Sequence, residues 1–454
     1  MADVSGLLER IAGSHQRYLI ANATVPVALV DGAPLSGDVD GLARVDILVE
    51  AGRVASVTSA GGADEGADRL ELDRGMVLPL FVDMHTHLDK GHIWPRRRNP
   101  DGRFMSALLS VKADREAAWT AEDVRRRMDF SLRTAYAHGT RAIRTHLDSI
   151  PPQHEISWPV FRETRDAWAG RIDLQAVSLV GPDTMMEPAT LDVLARTVKA
   201  AGGSLGGAIG TFPTAREAVF NVVRAAQRHG LDIDLHLDET EDPNSTSLRF
   251  LAEAIIELGF EGRAIAGHCC SLARQGPEAI DWTLDLVARA GIAIVSLPMC
   301  NMFLQDRHLA LDDEATEGPR RTPRWRGVTL IHEMKARGIP VAVASDNTRD
   351  PFYAYGDLDG LEVLREAVRI LHFDHPIGDW PGVMTRFAAD IIGLPARGRI
   401  APGLPADLAL FRGRTWTELF SRPQSDRVIL RDGAASKAEP PDYRELDDLF
   451  GAEA

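Results

Sequence analysis

His85 and His87 stand one residue apart in the stretch Phe81-Val82-Asp83-Met84-His85-Thr86-His87-Leu88-Asp89-Lys90, which continues an apolar run that starts at Met76. Residues i and i+2 of a strand point to one face. Both imidazoles can therefore offer a nitrogen to one metal ion at the strand's C-terminal end. A bare His-x-His is also an ordinary way for a strand to leave the core, so the weight falls on residues further down the chain. His146, His236, His268 and Asp346 all stand at the ends of later apolar runs. His85, His87, His236 and Asp346 together supply three imidazoles and one carboxylate, a donor set that suits Zn2+ or Fe2+. Such an ion can keep a water and draw its pKa towards neutrality. Glu239, three residues beyond His236, is placed to carry a proton from that water to a substrate ring. His268 is placed to polarise the water or steady an oxyanion. Asp346 can also accept the water's proton. The plainer alternatives are a structural histidine at 268 and a helix N-cap at 346.

The elements that must position these side chains follow a rhythm. Apolar runs fall at 76–84, 140–145, 172–179, 205–212, 233–236, 264–268, 292–297 and 341–345. Helical patterns lie between them, at 120–138, 188–201, 214–229, 246–259, 276–290 and 327–337. Thr120 reads as an N-cap with acidic Asp123 at N3, and Gly139 as the stop. Eight strand–helix alternations predict an α/β fold, a (β/α)8 TIM barrel over residues 76–396, with its chemistry at the strand ends. An open doubly wound sheet is the runner-up, but no Gly-x-Gly-x-x-Gly follows the first strand. Residues 18–72 hold short β-rich runs split by Gly, Asp and Ser, which predict a small antiparallel sheet with Pro26 at an edge. Similar runs recur at 406–411 and 427–430. A small β-sandwich domain built from both chain ends, residues 1–75 and 397–454, is the expected partner of the barrel. Residues 1–17 read as an amphipathic helix carrying Leu7, Leu8 and Ile11. Residues 89–119 and 301–326 read as long loops, the first with the run Arg96-Arg97-Arg98. The acidic tail from Lys437 is expected to be loosely held.

Composition bounds the rest. The chain has 454 residues, 44% hydrophobic and 26% charged, with a net charge of −15. That charge disfavours nucleic acid and anionic membrane as partners. No apolar run is long enough to span a bilayer. Cys269, Cys270 and Cys300 form neither a disulfide framework nor a Cys-x-x-Cys zinc site, and read as small buried residues in a cytoplasmic protein.

The pattern resembles the metal-dependent amidohydrolase superfamily, and within it the cytosine deaminase-like branch. The matching residues are His85-Thr86-His87-Leu88-Asp89, Arg144-Thr145-His146-Leu147-Asp148, His236-Leu237-Asp238-Glu239, His268, Asn301 through Gln305, Asp346 through Phe352, and Gly403 through Leu408. The resemblance implies one divalent metal per chain, Zn2+ or Fe2+, held by His85, His87, His236 and Asp346. It implies Glu239 as proton shuttle and His268 as water activator. Lys90, His146, Asn301, Gln305, Asn347 and Phe352 are candidate substrate contacts, Phe352 as a stacking face. The fourth strand-like run has no lysine, which argues against a binuclear site bridged by a carbamylated lysine. The Pro-Cys-x-x-Cys signature of other zinc deaminases is missing. The implied activity is hydrolytic deamination of a small amino-substituted N-heterocycle, cytosine-like or related, with release of ammonia. Two departures loosen the choice of ring: no glutamine stands at 179–183, and Asn347 takes the place of a second aspartate. That last form also resembles isopropylammelide hydrolases, so cleavage of an N-alkylamino group or cyclic amide is the alternative. A non-catalytic barrel is the distant one. A homo-oligomer is expected from the long loops.

Overall fold

The computed structural model describes residues 17–62, 66–307 and 321–450. The expected helix at 1–17 and the middle of the 301–326 loop lie outside them. The chain divides into two compact units.

The first unit comprises Met1–Val82, Arg133–Ala142 and Asp359–Pro440. It contains β1 (Tyr18–Pro26), β2 (Leu42–Glu50), β3 (Arg53–Ser59), β4 (Asp68–Glu71) and β5 (Val77–Pro79). From the C-terminal segment come β14 (Leu408–Leu410), β15 (Val428–Arg431) and β16 (Ala434–Ala435). They form two four-stranded sheets, β3-β2-β1-β4 and β16-β15-β14-β5. Ile20, Val45, Ile47, Leu70, Val77, Leu408 and Leu430 from both sheets share one buried apolar cluster. The first sheet is not wholly antiparallel, because β4 runs parallel to β1. Nor does Pro26 lie on an edge strand: β1 is internal, and Pro26 is its last residue. The β4 pairing stops at Ala21, so the N–H that proline lacks is not needed there.

The apolar run at 76–84 is two strands rather than one. β5 pairs with β14, Leu80 N–H turns to the Asp407 carbonyl, and β6 (Phe81–Thr86) starts afresh. Pro79, which donates no hydrogen bond, ends the first of them.

The second unit comprises Asp83–Leu132, Ile143–Leu358 and Pro441–Ala454. β6 and β7 (Thr140–Asp148) each begin in the first unit and end in the second. With β8 (Asp173–Leu179) they form one sheet. β9 (Leu205–Ile209), β10 (Ile233–Leu237), β11 (Ala264–His268), β12 (Ala293–Ser296) and β13 (Val341–Val343) form another, parallel throughout. Single parallel bridges, Val177 to Ser204 and Thr86 to Asp346, join the two. The strands therefore run in chain order round a closed ring, with helices in between, which is the α/β barrel arrangement. Observed helices include Ala121–His138, Pro188–Ala201, Ala215–His229, Ser247–Leu258 and Pro277–Ala290. Thr120 Oγ1 accepts from the Asp123 N–H at 3.2 Å, as the capping pattern predicts. The last expected helix is shorter, Ile331–Ala336.

Two expectations for the second unit are corrected. The stretch 89–119 is not all loop, since Phe104–Ala118 is a 15-residue helix. The tail is not loose through residue 450: Arg126 binds both Asp448 carboxylate oxygens, at 2.6 and 2.7 Å, and the Glu445 carbonyl at 2.7 Å. In the arginine run, Arg96 is tied within the chain by paired bonds to Asp114 and Asp123. Among the described residues no helix is long and apolar enough to cross a membrane.

Candidate active site

β6 ends in His85-Thr86 and hands His87 to the following loop. The alternation of the strand brings both imidazoles to the same side. β10 contributes His236, β11 ends in His268, and Asp346 follows β13. The backbone holds these ends in register. The Asp346 N–H donates to the His85 carbonyl at 2.9 Å, and the Leu88 N–H to Thr145 Oγ1 at 2.9 Å. His268 and Asp346 both take left-handed backbone conformations, φ +67° and +65°. Such conformations cost a non-glycine residue on the order of 1 kcal/mol and persist only where surroundings hold them. Asp83 is one source of that hold. Buried within β6, it accepts from the Ser345 N–H at 3.1 Å and from the Ser345 hydroxyl. Burial pushes its carboxyl up to about 6. Gly267 leaves room for the His85 ring, since a Cβ there would lie 3.0 Å from His85 Cε1.

The four residues expected to ligate a metal converge. His85 Nε2 lies 3.0 Å from His236 Nε2, which lies 3.1 Å from His87 Nε2. Asp346 Oδ1 is 3.1 Å from His87 Nε2 and 3.7 Å from His85 Nε2. One potential ligand atom from each residue falls within 4.8 Å of all the others. All four side chains are buried. Burial first, and neighbouring imidazoles and cations second, hold the three histidines well below their usual range, hence neutral. Neutral imidazoles in mutual contact cannot all satisfy one another, and both Asp346 carboxylate oxygens lack a hydrogen-bond donor. Orphaned polar atoms this deeply buried are costly. The residues present thus fit a divalent cation in chemistry, geometry and unmet bonding.

Glu239 and His268 lie beside this cluster, joined by Asn301. Asn301 Nδ2 donates to Glu239 Oε1 at 3.1 Å and approaches His268 Nδ1 at 2.9 Å. Glu239 Oε1 is 3.3 Å from that same nitrogen. An amide donor on Nδ1 puts the proton of the neutral ring on Nε2. Burial lowers His268 to about 3, so it stays neutral. Glu239 is raised well above the usual carboxylate range, by burial first and by the Asp346 charge second, against the pull of Lys90 and Asn301.

A cavity of about 1560 Å³ opens against the cluster, with His87, His236, Glu239, His268 and Asp346 in its wall. Lys90, Gln305, Asn347 and Phe352 line it as well. Lys90 Nζ stands 4.3 Å from the Phe352 ring centroid. His146 and Asn301, expected to touch substrate, do not line it. Both are fully buried. His146 packs 4.1 Å from the His85 ring and 4.5 Å from the His236 ring, and Asn301 faces Glu239 and His268 instead. Phe104 and Leu108, on the helix after β6, supply a wall that residue spacing did not reveal. Asp83 was also passed over, though its signal was there to see: one acid inside an apolar strand, two residues before His85.

Imidazoles and a carboxylate gathered at the C-terminal ends of barrel strands are how metal-assisted hydrolases of the α/β barrel class are built, and fold and site assign the chain to that class. Residues 163–433 match the Amidohydrolase family. A pterin deaminase from Rhizobium rhizogenes is 56% identical over 438 residues, 96% of this chain and 97% of that relative. The chain belongs to the amidohydrolase family and is a hydrolase acting on carbon–nitrogen bonds other than peptide bonds. In fold it is similar to the 5-methylcytosine deaminase of Klebsiella pneumoniae solved with 5-fluorocytosine, at TM-score 0.75 and 24% identity, over 94% of this chain and 100% of that one. An N-isopropylammelide isopropylaminohydrolase from Burkholderia multivorans is also similar, at TM-score 0.70 and 25% identity, over 92% of this chain and 98% of the other.

Proposed function

We propose that this chain is a metal-dependent hydrolytic deaminase of an amino-substituted fused N-heterocycle of the pterin class. The convergence of three imidazoles and Asp346 beside a protonatable Glu239 carries the reaction type. The ring rests on the 56% identity to a pterin deaminase along nearly the whole chain, and a cavity of about 1560 Å³ accommodates a bicyclic substrate. This narrows the expectation from the sequence, a cytosine-like or related heterocycle, to the pterin class.

His85, His87, His236 and Asp346 would hold one Zn2+ or Fe2+ per chain. Bound there, the ion supplies Lewis acidity, which brings a water's pKa towards neutrality. The remaining work falls to side chains. Phe352 offers a stacking face to the planar ring, and Lys90 beside it a cationic contact. Glu239, raised by burial so that it can carry a proton, takes one from the attacking water and delivers it to the ring nitrogen, then takes the second from the added hydroxyl and delivers it to the leaving amine. Asn301 fixes the Glu239 carboxylate and the tautomer of His268, whose Nε2–H can donate to the developing oxyanion. In balance, the C–NH2 carbon and water give a C=O carbon and ammonia.

Within the same proposal, the two four-stranded sheets form one small sandwich built from both chain ends, a reading their shared apolar cluster supports. The enzyme is a cytoplasmic homo-oligomer; the three cysteines, all buried free thiols, are in keeping with that compartment. The test is product analysis with purified protein of measured metal content, given pterin, cytosine, isocytosine and N-isopropylammelide. Ammonia from pterin is expected. Isopropylamine from the ammelide, with no ammonia from pterin, would overturn the proposal in favour of N-alkylamino hydrolysis.

A further inference from the structure

The C-terminal segment packs on two loops that carry the candidate site. The loop after β6 holds Lys90, and the loop after β13 holds Asp346 and Asn347. Two backbone bonds lace these loops together. The His92 N–H donates to the Thr348 carbonyl and the Trp94 N–H to the Arg349 carbonyl, both at 2.9 Å. His92, Asp346 and Arg349 take left-handed backbone conformations, φ +63°, +65° and +47°. Non-glycine residues keep such conformations only where surroundings hold them. Tyr443, which opens the short helical stretch Tyr443–Leu446, meets both loops. The Arg349 guanidinium stands 4.0 Å from its ring centroid. His92 packs 6.4 Å and Phe130 5.7 Å from that ring. His92 is fully buried, and among the described residues neither of its ring nitrogens has a hydrogen-bond partner. Packing rather than hydrogen bonding therefore holds the His92 ring. The Tyr443 hydroxyl donates to Asp357 at 2.8 Å, and all these residues belong to the second unit.

We propose that Tyr443 is a positioning residue, which clamps the two laced loops and so fixes Lys90 in the cavity wall and Asp346 among the metal ligands. It is not one of the residues that line the cavity, so it acts through others. A cation beside an aromatic face is attracted by the ring quadrupole. The ring thus draws in Arg349 while it packs against His92, one side chain from each loop. The bond to Asp357 fixes how the ring is turned. The segment that carries Tyr443 is itself anchored, by buried Leu446 and by the Arg126 bonds to Asp448 and the Glu445 carbonyl. Tyr443 is 45% exposed, so its loss empties little of the core, and its effect is carried by the loops. The clause about Lys90 rests on the proposed function. The clause about Asp346 rests only on the geometry of the ligand cluster.

The experiment uses full-length, zinc-loaded protein as wild type, Tyr443→Ala and Tyr443→Phe. Zinc left after dialysis against graded EDTA is counted, and thermal midpoints are read on the metal-free proteins. Tyr443→Ala is expected to lose zinc at roughly ten-fold less EDTA, with a metal-free midpoint within about 3 °C of wild type. Tyr443→Phe keeps the ring and should retain zinc as wild type does. In turnover at saturating zinc, Tyr443→Ala should raise KM several-fold with kcat less affected. The same change made in Lys90→Met should leave the KM of that variant where it is. Wild-type zinc retention in Tyr443→Ala overturns the proposal, as does equal zinc loss in Tyr443→Phe. So does zinc loss matched by a large fall in the metal-free midpoint, which would make the role merely structural. An equal rise in KM in the Lys90→Met background overturns the route through Lys90. Tyr443→Leu serves if the alanine variant does not fold. Should the protein deaminate nothing, zinc retention still reads the clamp, so the two failures are distinguishable.

Discussion

Replacing Glu239 with glutamine removes one exchangeable proton site and little else. Glu239 Oε1 accepts from Asn301 Nδ2 at 3.1 Å, and a glutamine oxygen can accept the same bond. The side chain is outside the set of four that converge for the metal, so metal content should hold at the wild-type value. What the amide cannot do is take a proton from water and return it to the ring and the amine. General acid–base catalysis of this kind contributes about 10²- to 10⁴-fold. Glu239 is asked to move more than one proton, so the upper half of that range applies. We expect kcat to fall by about 10³-fold, equivalent to roughly 4 kcal/mol of transition-state stabilisation, with KM little changed. The assay is ammonia release under saturating substrate, on samples whose metal content and thermal midpoint are measured alongside. A kcat within about ten-fold of wild type, in protein with full metal, would refute the assignment of Glu239 as proton carrier.

Other consequences are more local. Phe352→Ala removes the proposed stacking face and should raise KM about ten-fold, in line with roughly 1–3 kcal/mol per stacked ring, with a smaller change in kcat; equal loss in both would argue against a binding role. Gly267→Ala puts a methyl 3.0 Å from His85 Cε1 and should weaken metal retention by about 10- to 100-fold, read by residual metal after dialysis against a mild chelator. Arg427 binds both carboxylate oxygens of Asp359, at 2.7 and 2.5 Å, with both side chains largely buried. Arg427→Ala should cost about 3–5 kcal/mol of stability at neutral pH, measured by denaturant unfolding. Burial alone would raise the Asp359 pKa, but the Arg427 hydrogen bonds and charge outweigh it and leave the group below its usual value. A depressed folded-state pKa means the stabilisation is present above the unfolded value near 4 and is lost as pH falls through the folded one. The gap between variant and wild type should therefore close in acid, and a gap that widens there would contradict the ion-pair explanation.

Much of this was legible in the sequence because it depends on short-range pattern. Strand alternation puts His85 and His87 on one side, and the positions of His236, His268 and Asp346 at the ends of apolar runs carried them to the same face of the barrel. The features that escaped depend on long-range partners. The helix Phe104–Ala118 follows a Pro-, Gly- and Arg-rich stretch, and Met105, Leu108 and Leu109 are exposed while Ala107 and Val111 are buried, so apolar residues lie on more than one face and no clean period marks it. The pairing of β4 with β1 is parallel and non-local, which no turn signal announces. Residues Asp359–Pro440 pack in the first unit, whereas the strand–helix rhythm puts 359–396 with the barrel. Gly360, whose Cβ would sit 2.5 Å from the Phe81 ring, shows how tight that packing is, and it is invisible without the partner. His146 lies near the end of β7 and Asn301 on the helix after β12, and both are buried against other side chains, which spacing does not encode.

The central claim is that this chain moves water oxygen onto a ring carbon and releases its amine in a metal-dependent way. Metal-depleted and zinc- or iron-reloaded protein can be incubated with pterin in ¹⁸O-labelled water, and the product weighed by mass spectrometry as ammonia is counted. One labelled oxygen in the oxo product and one ammonia per turnover, only in the reloaded samples, is the predicted result. Unchanged pterin in fully reloaded protein, or the same turnover in metal-depleted protein, would contradict it.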